Sequence, residues 1–440
     1  MTELAQSVFQ ALDRDRENVL QFMRELIGRQ PRGEAAVQDA VASALAEAGG
    51  VIERIAYDPA RVPVVNEFAS KGSATSSERE SVVATFSGRG AGRSMILFAH
   101  PDAEPMVADP DWRHDPFAGV DEGGRFYGWG VADDLSGVAA CVSAMAAIRS
   151  AGIALAGDVF VASTPSKRHA RGVAAVLHHG YSADAAIYLH PAESGVGMRE
   201  IKAFASGQLE FSVTVTGKPP ETTEPVQTAF AHRAINPLDK AMVLIDALKA
   251  LDAERGERVH HPLLDAAIGR STNILVSSLQ LGGNHALYRV PDECTFSGVV
   301  GFPPAESLAK VQREVEAALA KAAAADDWMR QNPPVLEWLS GISGTDVPQD
   351  HPLYRIAAES ISATSAFAPH VNPLHTASDI RNPWVQKGIP AVGFGPLCGD
   401  LTQTGGRDEW VDTEDYLRFV KAAAASIIGW CGVHEGADHT

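Results

Sequence analysis

The residues that follow the apolar run at 95–99 (MILFA) are of types that could hold a metal ion. His100 and Asp102 come directly after that run, and Pro101 closes it. An apolar run of this length is typical of a buried parallel strand, and ligand sites in open α/β sheets lie where such strands end. Alternate residues share one face, so Asp102 can accept one imidazole N–H of His100 while the other ring nitrogen faces a cation.

A second acidic group follows a glycine-punctuated turn. Asp133 and Asp134 precede an apolar run at 138–142 (VAACV) that is typical of a packed helix. The partial positive charge at a helix N-terminus favours an ionised carboxylate, and that form binds metal. An Asp pair before an apolar helix is more commonly an N-cap. Only the combination with His100 points to a metal site.

Two segments, 99–105 (AHPDAEP) and 127–140 (YGWGVADDLSGVAA), together resemble the motifs of the co-catalytic metallohydrolases. This family includes glutamate carboxypeptidase, acetylornithine deacetylase and succinyl-diaminopimelate desuccinylase, and the resemblance extends through nearly the whole chain. It implies that His100 and Asp133 bind metal and that Asp102 orients His100. In relatives, the Asp that corresponds to Asp133 bridges two metals.

The chain departs from this family at the ligands of the second metal. Relatives carry a Glu-Glu pair after the bridging Asp, whereas this chain has 164–169 (TPSKRH), without a carboxylate. Relatives place a His just before a C-terminal Asp-Glu, whereas here Arg407 precedes Asp408 and Glu409. Where relatives have Glu-Pro-Thr for the first metal, this chain has His190 at the start of His-Pro-Ala, and a His can replace a Glu as ligand.

These losses predict a mononuclear site held by His100, Asp133 and His190. Three protein ligands with an open position for water is the arrangement of a catalytic metal. Two His and one Asp suit zinc, manganese, cobalt or iron. Lys167 or Arg168 is a candidate to supply positive charge in place of the second cation, although two solvated surface charges fit the sequence equally well.

The resemblance also implies contacts to the substrate. His232 corresponds to the catalytic His that relatives reach across the dimer from the lid, and Gly301 stands where relatives have an Arg for the substrate carboxylate. The substrate pocket must therefore differ. An Arg fork suits a carboxylate, and the residues expected to bind the substrate are Tyr288, Arg289, His375 and Arg381.

The predicted elements define an α/β fold with a mostly parallel sheet flanked by helices, because buried strands at 158–163 and 185–189 alternate with helices. Helical spacing of apolar residues predicts one helix over 3–28. From residue 207 a strict alternation indicates a sheet with one covered face. The predicted domains are a zinc-exopeptidase-like catalytic domain at 1–206 and 326–440, and an inserted α+β domain at 207–325. The resemblance implies that the insertion is the lid and dimerisation domain of a homo-oligomer.

Composition indicates which classes of partner the protein can bind and where in the cell it is expected. The chain has 440 residues, 45% of them hydrophobic and 21% charged, which suits a globular protein of two domains. A net charge of -18 argues against binding nucleic acid or an anionic membrane. No apolar span of about 18 residues and no signal peptide are predicted, hence a cytoplasmic location. The cysteines lack C-x-x-C spacing and are predicted to be buried thiols.

These features predict a metal-dependent hydrolase that cleaves a C–N bond in a small carboxylate-bearing substrate. One cation can make hydroxide available without a glutamate base. Amide hydrolysis needs an oxyanion partner and a proton donor, which the second metal and the Glu supply in relatives. The favoured reaction is release of ammonia from an activated aromatic amine of the nitroanthranilate type, because a ring nitro group can hold the developing charge.

Two other functions stay open at this point. One is an N-acyl-amino-acid deacylase or dipeptidase that completes a dinuclear site with Glu193, Asp400 or Glu409. The other is a catalytically silent family member that acts in binding or assembly and holds no metal. The silent protein is disfavoured, because it has no reason to cluster buried ionisable groups.

Overall fold

The computed structural model describes residues 3–69, 77–103, 106, 112–191, 194–282, 287–374, 379–399 and 407–434. The α-helices in these ranges are α1 (Glu3–Arg14), α2 (Arg16–Arg29), α3 (Glu34–Glu47), α4 (Ser136–Ser150), α5 (Gly172–His179), α6 (Pro237–Arg258), α7 (Pro262–Ile268), α8 (Leu308–Ala325), α9 (Asp327–Gln331), α10 (Pro352–Thr364), α11 (Arg381–Lys387) and α12 (Thr413–Cys431). The strands are β1 (Val51–Tyr57), β2 (Glu67–Ala69), β3 (Arg79–Phe86), β4 (Met95–Ala99), β5 (Val120–Glu122), β6 (Arg125–Tyr127), β7 (Val159–Ser163), β8 (Ala185–Leu189), β9 (Glu200–Ile201), β10 (Phe204–Ala205), β11 (Gly207–Thr216), β12 (Asn273–Leu281), β13 (Glu293–Phe302), β14 (Val335–Ile342), β15 (Thr345–Asp346), β16 (His370–Val371), β17 (Ala391–Phe394) and β18 (Trp410–Asp412).

The chain forms two compact units. The main unit comprises the described residues up to Val65, those within Ser73–Phe204, and those from Thr345 onward. The second unit, termed the insertion, comprises residues 66–69 and Ala205–Gly344. The sequence predicted one domain split around an inserted one, and the catalytic and lid roles of the two units stay predictions.

A six-stranded sheet in the order β1-β3-β7-β4-β8-β17 organises the main unit. Strands β7, β4, β8 and β17 pair in parallel, whereas β1 and β3 pair antiparallel. Every residue of β4 and β8 is buried, as expected for parallel strands covered on both faces. The predicted α/β fold with a mostly parallel sheet and flanking helices is confirmed.

Helix α4 begins beside the ends of the central strands and is buried along nearly its whole length. Gly137 allows this close approach, since a Cβ there would lie 1.9 Å from the carbonyl oxygen of Leu189. The segment Val131–Ser150 is long and apolar enough to cross a membrane, although 94% of its apolar window is buried inside the protein. The sequence reasoning overlooked this apolar stretch, most of which is the buried helix α4.

The predicted single helix over 3–28 is wrong, because the chain breaks at Asp15 between α1 and α2. Asp15 has φ -100° and ψ 13°, outside the helical range. Asp competes with helix formation by favouring positions that precede a helix. Each half keeps its own buried apolar residues, such as Leu12 in α1 and Met23 in α2.

The insertion is built on an antiparallel sheet in the order β12-β13-β11-β14-β2. Alternate residues of β11 are buried, and α6 and α8 contribute Leu244, Leu248 and Val315 to the same apolar core. The predicted boundary at 325 has to move to Gly344, because β14 pairs with β11 within the insertion. The sequence reasoning missed this strand, which follows two helices.

The four cysteines are free and buried: Cys141, Cys294, Cys398 and Cys431. Burial raises the pKa of the Cys141 thiol well above its ordinary value, so this group stays protonated. The prediction of reduced, packed thiols is confirmed.

We expect Gly137→Ala to lower the free energy of unfolding by about 1–3 kcal/mol, the usual cost of overpacking. The added Cβ would lie 1.9 Å from the Leu189 oxygen and 2.4 Å from Oδ1 of Asp134. Gly28→Ala is the matched control, since its Cβ would approach Phe117 no closer than 3.6 Å within a helix. Urea unfolding of both variants measures the difference. An unchanged midpoint for Gly137→Ala would contradict the packing described for α4.

Candidate metal centre

Three potential ligand side chains converge at the C-terminal edge of the main sheet. His100 directly follows β4, and His190 directly follows β8, its parallel neighbour. Asp133 lies in the turn before α4. Its Oδ1 is 2.8 Å from Nε2 of His100 and 3.0 Å from Nε2 of His190. All three residues are buried, and their potential ligand atoms lie within 4.8 Å of one another.

The two imidazole rings are oriented by contacts at their second nitrogen. Nδ1 of His100 lies 2.8 Å from the backbone carbonyl oxygen of Asp102 and 3.4 Å from the carboxylate Oδ1 of that residue. Nδ1 of His190 lies 2.8 Å from the carbonyl oxygen of Pro191 and 2.9 Å from Nζ of Lys202. Both Nε2 atoms therefore face Asp133.

The predicted role of Asp102 in orienting His100 stays a prediction, and both kinds of Asp102 oxygen lie near Nδ1 of His100, the carbonyl nearer than the carboxylate. The carboxylate also accepts hydrogen bonds from other parts of the chain. Its Oδ1 accepts from the backbone N–H of Ser166, and its Oδ2 accepts from the backbone N–H of Lys167 and from Arg79, each at 2.9 Å. Asp102 thus joins His100 to the turn that carries Lys167.

Lys167 is not a solvated surface charge. Its ammonium group contacts Oδ2 of Asp133, the carboxylate oxygen that does not face the imidazoles. The sequence left this residue undecided between a surface position and a replacement for a second cation. The side chain of Arg168 lies outside the described residues.

The charges of the centre are strongly coupled. Burial acts to lower the pKa of His100, but hydrogen bonds with Asp102 and Asp133 outweigh it and raise the pKa to about 10. Burial acts to raise the pKa of Asp133, but hydrogen bonds with His100 and His190 hold it well below its ordinary value. These shifts place a protonated His100 against an ionised Asp133.

Tyr188, which the sequence reasoning missed, lies beside the candidate ligands. The ring centroid of Tyr188 is 5.7 Å from that of His190 and 6.5 Å from that of His100. Its hydroxyl donates to Oδ2 of Asp379 at 3.1 Å, and Ser166 donates to the same oxygen. Burial raises the pKa of the Tyr188 phenol well above its ordinary value, so the phenol remains a donor. Tyr188 could have been found, because it lies in β8 two residues before His190, and alternate residues of an extended chain share one face.

Glu409, a predicted alternative ligand for a second metal, is used differently. Both of its carboxylate oxygens accept backbone N–H groups of the turn at 130–133. The other two alternatives, Glu193 and Asp400, lie outside the described residues.

The residues predicted to contact the substrate fall in both units. His232, Tyr288 and Arg289 are exposed residues of the insertion. Arg381 begins α11 in the main unit and is buried, while His375 lies outside the described residues. Their roles in catalysis and substrate binding stay predictions.

The fold and the centre together define a family of metal-dependent hydrolases. The chain belongs to the peptidase family M20/M25/M40, whose family model matches residues 96–428. The metallohydrolase resemblance inferred from the motifs is thereby confirmed. Enzymes of this family bind divalent metal ions, and the nitrogen and oxygen donors of His100, Asp133 and His190 suit such an ion.

Particular relatives cover almost the whole chain. It is 24% identical to the N-formyl-4-amino-5-aminomethyl-2-methylpyrimidine deformylase of Bacillus subtilis (strain 168), over 98% of this chain and 99% of that protein. Among solved structures it is similar to the aminopeptidase PepT of Bacillus cereus, with a TM-score of 0.67 and 14% identity over 94% of this chain and 98% of that chain. It is also similar to a Bacillus subtilis dinuclear metal-binding peptidase of the M20 family, with a TM-score of 0.59 and 15% identity over 94% and 98% of the two chains. The chain is an M20-family hydrolase.

Metal loading should release a proton from the centre. His100, with a pKa of about 10, carries a proton at neutral pH, and a metal ion needs its Nε2 unprotonated. The apparent affinity for Mn²⁺ should therefore rise with pH, by up to about tenfold per unit below that pKa. Calorimetric titration in two buffers of different ionisation enthalpy measures the protons released.

The control for this titration is His260→Ala, because His260 is exposed and outside the centre. It should show the same pH dependence as the unaltered chain. Binding of Mn²⁺ with no proton release and no pH dependence would contradict the assigned charge on His100.

Proposed function

We propose that this chain is a cytoplasmic aminohydrolase that uses one divalent transition metal to release ammonia from an electron-poor aromatic amine bearing a carboxylate. The favoured substrate is 5-nitroanthranilate, converted to 5-nitrosalicylate, because the departures from the family pattern resemble those of 5-nitroanthranilate aminohydrolase. The contact between the Lys167 ammonium and Asp133 is the observation that carries the proposal.

A single ion is supported by the use of the Asp133 carboxylate. Its Oδ1 faces both imidazoles, and its Oδ2 faces Lys167. A second ion bound by the same carboxylate would have to displace that ammonium and would experience its repulsion. Glu409, the alternative ligand that the structure describes, already has both oxygens hydrogen-bonded to the backbone.

The reaction is a hydrolysis in which Ar–NH₂ and water give Ar–OH and ammonia. When held by His100, Asp133 and His190, a divalent ion supplies hydroxide near neutral pH by lowering the pKa of water. A C–O bond forms at the ring carbon that bears the amine, and the electron pair moves into the ring and its nitro group. The pair returns as the C–N bond breaks, and the departing amine takes up a proton to leave as ammonia.

The chain contributes fixed charge and orientation to these steps. Lys167 places a positive charge beside the reacting centre, where it offsets the negative charge that forms on the ring. The carbonyl oxygen of Asp102 contacts the His100 ring and its carboxylate accepts the N–H of Lys167, so the imidazole and the cation keep one relative position. No glutamate base is present in the described turn at 164–169, which is why the substrate has to be activated.

A deformylase is the second candidate, favoured by the similarity to the Bacillus subtilis deformylase over nearly the whole of both chains. Its name describes hydrolysis of an N-formyl group, which is also a C–N bond. A formyl carbon is small and electrophilic, so one metal could suffice for this reaction as well. The two candidates differ in whether ammonia or formate is released.

The direct test is incubation of the Mn²⁺-loaded chain with 5-nitroanthranilate. We expect stoichiometric ammonia and 5-nitrosalicylate, detected by a coupled ammonia assay and by the absorbance of the product. His190→Ala should lower kcat/KM by at least about 100-fold through loss of a metal ligand. His179→Ala, which changes an exposed His on the same unit, should leave kcat/KM unchanged.

Formate release from N-formyl amines without turnover of 5-nitroanthranilate would favour the deformylase. No turnover of either substrate class with Mn²⁺, Zn²⁺, Co²⁺ or Fe²⁺ would contradict both candidates.

We also propose a homodimer formed through the insertion. In the described part of the insertion, β12 pairs with β13 and forms one edge of the sheet. It presents Leu275 and Leu279 to solvent, 57% and 44% exposed. Unpaired edges with apolar side chains favour pairing with another chain. The adjoining helix α6 exposes Met242 and Val243.

Leu275→Lys should therefore weaken the dimer, because it places a charge within the apolar edge. Light scattering after size-exclusion chromatography should show the mass falling toward that of one chain. Val226→Lys, also an exposed apolar residue of the insertion but outside β12, is the control and should keep the dimer mass. An unchanged mass for Leu275→Lys would exclude this edge as the interface.

A further inference from the structure

We infer that Glu409 is a positioning residue for Asp133: its buried carboxylate fixes the backbone of the turn that presents the metal-binding side chain. The inference rests on the proposed role of Asp133 as a metal ligand. It differs from the reading of Glu409 as a metal ligand, because the contacts described for its carboxylate are with backbone N–H groups of the turn.

Glu409 is 1% exposed and is hydrogen-bonded at both carboxylate oxygens. Oε2 accepts the N–H of Gly130 at 2.8 Å, and Oε1 accepts those of Ala132 at 2.7 Å and Asp133 at 3.2 Å. The backbone carbonyl of Glu409 accepts the N–H of Gly128 at 3.0 Å. The whole turn from 128 to 133 is therefore tied to one residue of a distant segment.

The turn needs an acceptor of this kind because its own backbone does not supply one. Gly130 has φ +70°, and Asp133 and Asp134 have non-helical angles, with φ -142° and -148°. The first N–H groups of a helix have no acceptor within the helix, and leaving them unpaired in a buried position is costly. A carboxylate satisfies several of them at once, and its negative charge is favourable at a helix N-terminus.

Fixing this turn matters for the metal centre because its three ligands have different supports. His100 and His190 come from the ends of two paired strands, so the sheet sets their separation. Asp133 comes from the irregular turn at 130–135, and its carboxylate has to meet both imidazoles and Lys167. Without Glu409 the turn would lose three hydrogen bonds, and the position of the third ligand would be less sharply defined.

The neighbouring residue provides a matched control. Asp408 accepts from the backbone N–H groups of Arg113 and His114 and from the Arg113 side chain, so it supports another loop. Its φ is +48°, a conformation that Asn also tolerates, and Asp408→Asn preserves that preference. Comparing the two adjacent acids therefore separates the loss of contacts to the turn at 128–133 from the loss of contacts to another loop.

The experiment compares Glu409→Ala and Glu409→Gln with Asp408→Asn. Hydrogen exchange by mass spectrometry on the full-length, metal-free chain should show faster exchange at 128–133 in Glu409→Ala, and a smaller change in Glu409→Gln, which keeps one acceptor oxygen. Titration with Mn²⁺ should show affinity about 10–100-fold weaker for Glu409→Ala, the usual effect of removing a residue that orients a ligand. Asp408→Asn should leave both the hydrogen exchange at 128–133 and the affinity for Mn²⁺ unchanged.

Unchanged exchange at 128–133 in Glu409→Ala and Glu409→Gln would overturn the inference. A drop from two bound Mn²⁺ ions to one in either variant would also overturn it, since Glu409 would then be a ligand. If the unaltered chain binds two ions and both variants keep them while exchange at 128–133 rises, the positioning role stands and the single-metal proposal fails. If Glu409→Ala does not fold, the exchange and affinity of Glu409→Gln decide.

Discussion

The organisation of the site depends on how one buried carboxylate, that of Asp133, is shared among its neighbours. One oxygen faces two imidazoles, and the other faces the ammonium of Lys167. An anion buried in this way is stable only if it is paired and hydrogen-bonded. In the proposed function, a metal ion replaces the proton between the imidazoles and the carboxylate, and the lysine remains as a fixed cation.

The surrounding structure keeps this shared carboxylate in place. Parallel pairing of β4 and β8 brings the ends of these strands together, and His100 and His190 follow directly. The backbone N–H of His100 donates to Asp134, which joins the turn before α4 to the strand. Asp102 accepts three hydrogen bonds, two from the turn at 166–167 and one from Arg79, and connects His100 to the lysine turn. Rigid strands thus supply two ligands, and a hydrogen-bonded turn supplies the third.

Features with a local sequence signal could be predicted, and features made by distant pairings could not. The strands β4 and β8, with His100 and His190, follow from short apolar runs that end in ligand-type residues, and Asp133 follows from a glycine-punctuated turn before an apolar helix. The contacts of Arg79 with Asp102, Tyr188 with Asp379 and Glu409 with the turn at 130–133 join residues far apart in the chain and leave no periodic pattern. The break at Asp15 and the late strand β14 were missed because helical and strand periodicities do not report where an element stops or which sheet it joins.

Anomalous diffraction from a crystal loaded with Mn²⁺ tests the central claim most directly. The account predicts one peak per chain, between the Nε2 atoms of His100 and His190 and the Asp133 carboxylate. The Lys167 ammonium should remain in contact with Oδ2 of Asp133. Two peaks about 3.5–4 Å apart, the spacing of two-metal hydrolytic sites, with Lys167 displaced from Asp133, would contradict it.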